Sequence, residues 1–294
     1  MRICSLLPSA SEIVAVLGHA DALVGVSDEC RWPPELIGKP VVTAARIDPS
    51  ALSSGEIDAA VRASLAAGGS LYAFDAELIE ELDPDLVVTQ DLCNVCAVSS
   101  GDVATALPLD VEVLSLDPCT LAEVAETFRL LARRLGTPER GDELAREFDV
   151  RIEAVAEAVR ELPRRRVFFA EWLDPPFCAG HWIPEMISVA GGEDVLGRAG
   201  VASRSTTWDE ALAHDPELVI LAPCGFGAEE ALRRSADLDL DCPAVAVDGD
   251  GYYSCPGPRL ADGVRQLGHI FHSEAVEDSG LPALQLARAS ASGH

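Results

Sequence analysis

Residues 142–162 read DELAREFDVRIEAVAEAVREL, and the spacing of their apolar members decides how the rest of the chain is parsed. Leu144, Phe148, Ile152, Val155, Val159 and Leu162 recur at steps of four and three, which lays one apolar stripe along a helix. At 1.5 Å per residue that helix is about 30 Å long, and Pro163 ends it. On either side, short apolar runs alternate with helical patterns, the signature of parallel sheets built from βα units. The long helix is then either the last helix of a first domain or a stiff spacer between two α/β halves. We take it as the spacer, giving an N-terminal lobe over 1–136, a linking helix over 137–163, a C-terminal lobe over 164–275 and a tail over 276–294.

Working outward, the expected strands are Arg2–Leu7, Ala22–Val26, Asp85–Thr89 and Glu112–Leu116 in the first half, and Arg165–Glu171, Glu217–Ala222 and Ala244–Val247 in the second. Ser9 or Ser11 is expected to cap a helix that stops at Gly18, and Thr120 one that stops at Gly136. The halves echo each other. Asp83-Pro84-Asp85-Leu86-Val87 enters one buried strand and Asp215-Pro216-Glu217-Leu218-Val219 another, each after a short amphipathic helix. A weaker echo pairs Glu12-Ile13 and Gly18 with Glu185-Met186 and Gly191. The fold class expected is therefore α/β: two Rossmann-like lobes joined by a single long helix, with a ligand cleft between them at the carboxyl ends of the strands.

The 294 residues carry 49 acids against 22 Lys and Arg, a formal net charge of −27. That sign excludes nucleic acid and anionic membrane as main partners, because both require a basic surface. No apolar run approaches the ~20 residues of a membrane span, and the run before Pro8 is too short for a signal-peptide core. With 9 scattered cysteines, the expectation is a cytoplasmic protein with reduced thiols, a monomer without membrane insertion; a periplasmic or lipid-anchored one is expected only with a leader removed.

Cys93-Asn94-Val95-Cys96 has the C-x2-C spacing of zinc, iron–sulfur and redox sites. A closed tetrahedral site needs two more ligands, and Cys30, Cys178, His181, Cys224 and Cys255 are the available partners; inert packing of small buried thiols is the competing reading. Residues 171–182, EWLDPPFCAGHW, pack aromatics, prolines and His181 into one loop, which suits a large flat ligand, with His181 beside Cys178 as a contact to a metal centre. Loops of similar make-up, Asp28–Pro34 and Asp248–Pro258, follow other strands. There is no G-x-S-x-G elbow, Walker loop, H-E-x-x-H or strand-linked G-x-G-x-x-G, so nothing selects an enzyme.

Taken together, Leu7-Pro8-Ser9-Ala10-Ser11-Glu12, Val24-Gly25-Val26-Ser27 with Trp32-Pro33-Pro34, Asp83–Val87, Pro175-Pro176-Phe177 with Gly180, Gly191-Gly192-Glu193 and Gly257-Pro258-Arg259 resemble the helical-backbone class of metal-chelate substrate-binding proteins. Within it, the chain is most similar to the cobalamin-binding members of ABC-type vitamin uptake. The resemblance implies a corrinoid, or a related small metal complex, held by loop residues at Pro8, Cys30, Arg31, Trp32, Gln90, Asp91, Cys93, Phe177, Arg204, Asp250, Tyr252 and Tyr253. It also implies an ABC permease as partner, docked through Glu77 and Asp209. To these the loop chemistry adds Trp182 for stacking, Cys178, His181 and Cys96 for the metal, and Arg46 for polar side groups. Where the transport proteins carry cleft tryptophans, this chain has Gln90–Cys93 and Ala44-Ala45-Arg46. The rival expectation is a cytoplasmic thiolate-metal protein or enzyme on the same scaffold, with zinc or iron at Cys93 and Cys96.

Overall fold

The computed structural model of the chain describes residues 1–67, 70–92, 99–107 and 111–287. They form two compact units. The first comprises Met1–Leu52, Glu56–Pro118 and Ala122–Glu147; the second comprises 53–55, 119–121 and the chain from Phe148 onward.

In chain order the first unit carries β1 (Ile3–Ser5), α1 (Pro8–Val16), β2 (Leu23–Val26), β3 (Thr43–Ala45), α2 (Ser54–Ala66), β4 (Tyr72–Phe74), α3 (Ala76–Glu81), β5 (Leu86–Thr89), α4 (Ser100–Ala106), β6 (Glu112–Ser115), α5 (Leu121–Arg134) and the start of α6 (Pro138–Val159). Among the described residues its main sheet has the order β2-β1-β5-β6, all parallel, while β3 and β4 pair antiparallel. A parallel sheet needs both faces covered. Accordingly Ile3, Leu23, Leu86, Val87 and Val88 are buried, together with Ile13 of α1, Ile79 of α3 and Phe128 and Leu131 of α5.

The second unit continues with β7 (Arg165–Leu173), β8 (Pro176–Cys178), α7 (Ile183–Val189), β9 (Gly192–Asp194), β10 (Arg204–Ser205), α8 (Trp208–Ala213), β11 (Leu218–Leu221), α9 (Ala228–Arg234), β12 (Ala244–Val247), α10 (Leu260–Phe271) and β13 (Ala283–Gln285). Its parallel strands run β9-β7-β11-β12, with β8 antiparallel to the far half of β7, β10 beyond β8, and β13 antiparallel to β12. Both units thus use one order, in which the third and first parallel strands of the unit are neighbours.

The Asp-Pro echo is a structural repeat. Asp83 and Asp215 adopt left-handed backbone conformations, with φ of 45° and 48°, a region that Asp tolerates better than most residues. Two residues later, the Asp85 carboxylate accepts the Arg2 amide (2.7 Å) and the Glu217 carboxylate accepts the Arg166 amide (2.8 Å). The same arginines reach back with their guanidinium groups, Arg2 to the Leu82 carbonyl and Arg166 to the His214 carbonyl, at the end of the helix before each corner. Gly18 and Gly191 close the first helix of each unit with the same φ of 86°.

Local departures from the expectation have physical causes. Neither Ser9 nor Ser11 caps α1: Pro8 occupies the first turn, Leu7 is the N-cap, and the Ser11 hydroxyl donates to the Leu7 carbonyl instead. The long helix starts at Pro138 and ends at Val159, three residues short of Leu162, which is 37 % exposed. Its stripe Phe148, Ile152, Val155 and Val159 is buried, each side chain contributing about 1.5–3 kcal/mol of burial. Residues through Glu147 cluster with the first unit and those from Phe148 with the second, so the helix belongs to both. In the segment expected as a tail, 283–285 form β13 on the edge of the second sheet.

Asp194, at the end of β9, carries a buried defect. One carboxylate oxygen accepts the Leu196 and Gly197 amides, while the other is buried with no partner. Burial pushes the group up to about 6. Because the folded state holds this proton more tightly than the unfolded chain, whose Asp titrates near 3.9, its stability is greatest at low pH and falls as pH rises through about 4 to 6, by roughly 2–3 kcal/mol. Asp194→Asn is therefore expected to raise the melting temperature at pH 8 and to change it little at pH 4; calorimetry showing an equal shift at both values would contradict this account.

Candidate functional site

In the first unit, three expected ligand segments leave the carboxyl ends of neighbouring strands: Leu7-Pro8 after β1, Ser27–Trp32 after β2, and Gln90-Asp91 after β5. Pro8 is half-buried at the head of α1, Arg31 is exposed, Trp32 is 37 % exposed, and Arg46 is exposed just beyond β3. Asp28 joins two of the loops. Its carboxylate accepts the Thr43 hydroxyl (2.5 Å) and the Ala45 amide (2.9 Å), while its own amide donates to the Thr43 hydroxyl at 3.0 Å.

Cys30 is tied to the same knot through its sulfur, 3.0 Å from the buried Ser11 hydroxyl. Burial pushes that thiol up to about 11, offset in part by the Ser11 hydrogen bond; it is a protonated packing group, not a thiolate. Gln90 is buried. The exposed Asp91 carboxylate accepts the Ser100 hydroxyl and amide, bonds that hold it below the ordinary carboxylate range. Cys93 and Cys96 lie outside the described residues.

In the second unit, Trp172 and Phe177 are register partners across β7 and β8, which places their side chains on one face. Phe226, in the loop after β11, stacks on Trp172 with ring centroids 5.9 Å apart. Behind it the Arg234 guanidinium lies 4.1 Å from the Phe226 centroid and is paired with Glu230 at 2.7 Å. Trp172 is anchored through its indole N–H, which donates to the Ser54 and Asp174 carbonyls. The Gly249 amide donates to the Phe226 carbonyl (3.1 Å), joining this loop to the one that bears Asp250 and Tyr252. Tyr252 is half-buried, with the Arg259 guanidinium 5.3 Å from its ring.

Four expected contacts of this unit belong elsewhere. Tyr253 is fully buried, its hydroxyl donating to Gln266 (2.7 Å), and its carbonyl accepts the Trp182 indole N–H (2.7 Å); both rings are core. Cys178 is buried with its thiol donating to the Arg204 carbonyl, and desolvation raises its pKa. His181 has φ 49°, its amide donates to the Val201 carbonyl (2.7 Å), and desolvation lowers the pKa of its imidazole. The Gly180 backbone before it approaches Ser203 so closely that a Cβ would lie 2.3 Å from the Ser203 nitrogen. Among the described residues no group of three His, Cys, Asp or Glu could hold a metal ion. Arg204 is exposed, 3.5 Å from Glu210.

Phe226, which the sequence reading passed over, joins this ring cluster; the signal available was its place in the loop that follows a carboxyl strand end. Glu77 and Asp209 occupy matching places, each exposed in the first turn of the short helix before an Asp-Pro corner. Asp75 caps the first helix by accepting the Leu78 amide, and Thr207 caps the second by accepting the Glu210 amide.

This arrangement is matched by known proteins. The profile described as "Periplasmic binding protein" covers residues 3–246. The chain belongs to the periplasmic binding protein family. Its relatives include the vitamin B12-binding protein of Vibrio cholerae, 22 % identical over 272 residues, covering 90 % of this chain and 87 % of that protein. The vitamin B12-binding protein of Salmonella typhimurium is 24 % identical over 268 residues, covering 90 % and 88 %. Among solved structures, the periplasmic heme-binding protein RhuT of Roseiflexus sp. RS-1 has a TM-score of 0.71 at 23 % identity, covering 93 % of this chain and 98 % of that one. The periplasmic vitamin B12-binding protein BtuF of Vibrio cholerae has a TM-score of 0.62 at 20 %, covering 91 % and 94 %. The family is one of substrate-binding proteins, not enzymes.

Membership overturns the cytoplasmic placement, since this family and these neighbours are periplasmic. The inference from cysteine number failed because thiols can be covered by the fold in any compartment: Cys4, Cys178 and Cys255 are buried and Cys30 is half-buried. Burial pushes Cys4 up to about 12, whereas Cys224 is exposed. Brief alkylation at pH 8 followed by peptide mass spectrometry is expected to modify the exposed Cys224 at least about tenfold faster than the covered Cys4 and Cys30; equal rates would contradict the burial described.

Proposed function

We propose that this protein binds a corrinoid such as cobalamin and presents it to an ABC-type permease. The observation that carries the ligand assignment is the charge around half-buried aromatics. Trp172, Phe177, Phe226 and Tyr252 supply apolar ring faces in the second unit, and Trp32 does so in the first. Three of the arginines among the expected loops are already matched, Arg31 to Glu29 at 3.4 Å, Arg204 to Glu210 at 3.5 Å and Arg259 to the Tyr252 ring, which among the described residues leaves the exposed Arg46 as the one cation of these loops for a charged ligand. Glu171, Asp248 and Asp250 add negative charge at the same strand ends.

A macrocycle edged by neutral amides loses little on entering such surroundings. A porphyrin with two propionates would bring charge that needs unspent cations, because burying an unpaired carboxylate is costly. The vitamin B12-binding relatives, which extend over most of the chain, support the same choice. Haem is the second reading, favoured by the likeness to heme-binding folds. Delivery to a permease gives the paired acids a role. Glu77 and Asp209 stand exposed on equivalent helices of the two units, and in this reading they meet basic pockets on the partner.

Titration with cyanocobalamin, followed in the visible spectrum, is expected to give a micromolar or tighter dissociation constant, with haemin weaker by about tenfold or more. Haemin bound more tightly would replace the corrinoid with haem, and binding of neither would overturn the reading. Charge reversal at Glu77 and Asp209 together is expected to leave corrinoid affinity unchanged while lowering permease-dependent uptake of labelled cobalamin by about tenfold. Unchanged uptake would remove the docking role.

A further inference from the structure

We infer that Asp28 is the positioning residue of the first unit: one carboxylate that holds two ligand loops in a single arrangement. The inference rests on the corrinoid reading above for its functional meaning and on geometry for its substance. The carboxylate bridges segments that the chain keeps well apart. One of its oxygens accepts the Thr43 hydroxyl at 2.5 Å and the other accepts the Ala45 amide at 2.9 Å, at the two ends of β3 and one residue before Arg46.

On its own side, Asp28 lies one turn before Cys30 and Trp32. Ser27 completes the knot. Its hydroxyl lies 3.1 Å from that of Thr43 and accepts the Glu29 amide (3.2 Å), and its carbonyl accepts the Cys30 amide (3.0 Å). Cys30 Sγ then meets the Ser11 hydroxyl, which donates to the Leu7 carbonyl beside Pro8. Ser11, Ser27 and Thr43 are all buried, so water does not readily replace these bonds.

The consequence is that Pro8, Cys30–Trp32 and Arg46 are not three independent loops. Each segment is held through a neighbour, and Asp28 is the only acidic side chain in the chain of bonds just traced. Loops fixed before the ligand arrives need not be ordered on binding, and that saving appears as affinity. In Asp28→Asn one bond can survive at the Thr43 hydroxyl, but the amide nitrogen then opposes the Ala45 N–H, donor against donor. In Asp28→Glu the charge and both acceptors are kept on a longer arm.

The test compares wild type, Asp28→Asn, Asp28→Glu and Asp48→Asn. Asp48 is an exposed acid that accepts local bonds from the Ser50 amide and hydroxyl and serves as the control. Hydrogen exchange read by mass spectrometry is expected to show faster exchange in both 27–32 and 43–46 of Asp28→Asn, with β1 and β5 unchanged. Loss in one segment alone, or in neither, overturns the coupling whatever the ligand proves to be. Titration with cyanocobalamin is expected to give about tenfold weaker binding for Asp28→Asn, the size of one charge-assisted hydrogen bond, with partial recovery in Asp28→Glu and none lost in Asp48→Asn. Wild-type affinity in Asp28→Asn overturns the positioning role. Should wild type bind neither cyanocobalamin nor haemin, the corrinoid reading falls, and the exchange arm still decides whether Asp28 couples the loops.

Discussion

Everything in this molecule follows from how the third parallel strand of each unit is brought beside the first. An arginine at the foot of the first strand gives its amide to a carboxylate on the incoming strand and its guanidinium to the carbonyls that end the preceding helix. The aspartate at the corner takes a left-handed turn, so the strand starts at a defined height. With that register set, the parallel strands end on one side of their sheet, and the loops that follow them are gathered without any contact among themselves being needed. Apolar burial makes each sheet stable, but it does not choose the register; the polar corner does.

On this common frame the units gather their loops by different physics. The first relies on short polar side chains, with buried hydroxyls from Ser11, Ser27 and Thr43 around Asp28. The second relies on ring stacking and a guanidinium behind it, Trp172 against Phe226 against Arg234. Both solutions tie loops to their neighbours, and both leave aromatic or apolar surface partly open at the strand ends. Sulfur contributes differently from what its abundance implies: burial raises the pKa of Cys4, Cys30 and Cys178, which pack as small apolar residues.

Much of the fold was legible in the sequence because it is carried by local patterns. All of the parallel strands read as apolar runs before Gly192 have their counterparts in the structure, as do those after it, since a buried strand must be apolar along its length. The strands that were missed, Thr43–Ala45, Tyr72–Phe74, Pro176–Cys178, Gly192–Asp194, Arg204–Ser205 and Ala283–Gln285, are two or three residues long, and their partners, not their composition, make them strands. For the site the limit is similar. Loop positions could be read from the strands before them, but whether a ring in a loop turns inward depends on partners distant in sequence: the hydroxyl of Tyr253 meets Gln266, whereas Tyr252 beside it lies under Arg259.

The repeated arginine corner has one more consequence. Because the same geometric problem is solved twice in one chain, by Arg2 with Asp85 and by Arg166 with Glu217, each copy is an internal standard for the other, under one solvent, one temperature and one net charge. The shorter acid in one and the longer in the other amount to a natural methylene insertion, already tolerated by an otherwise shared backbone.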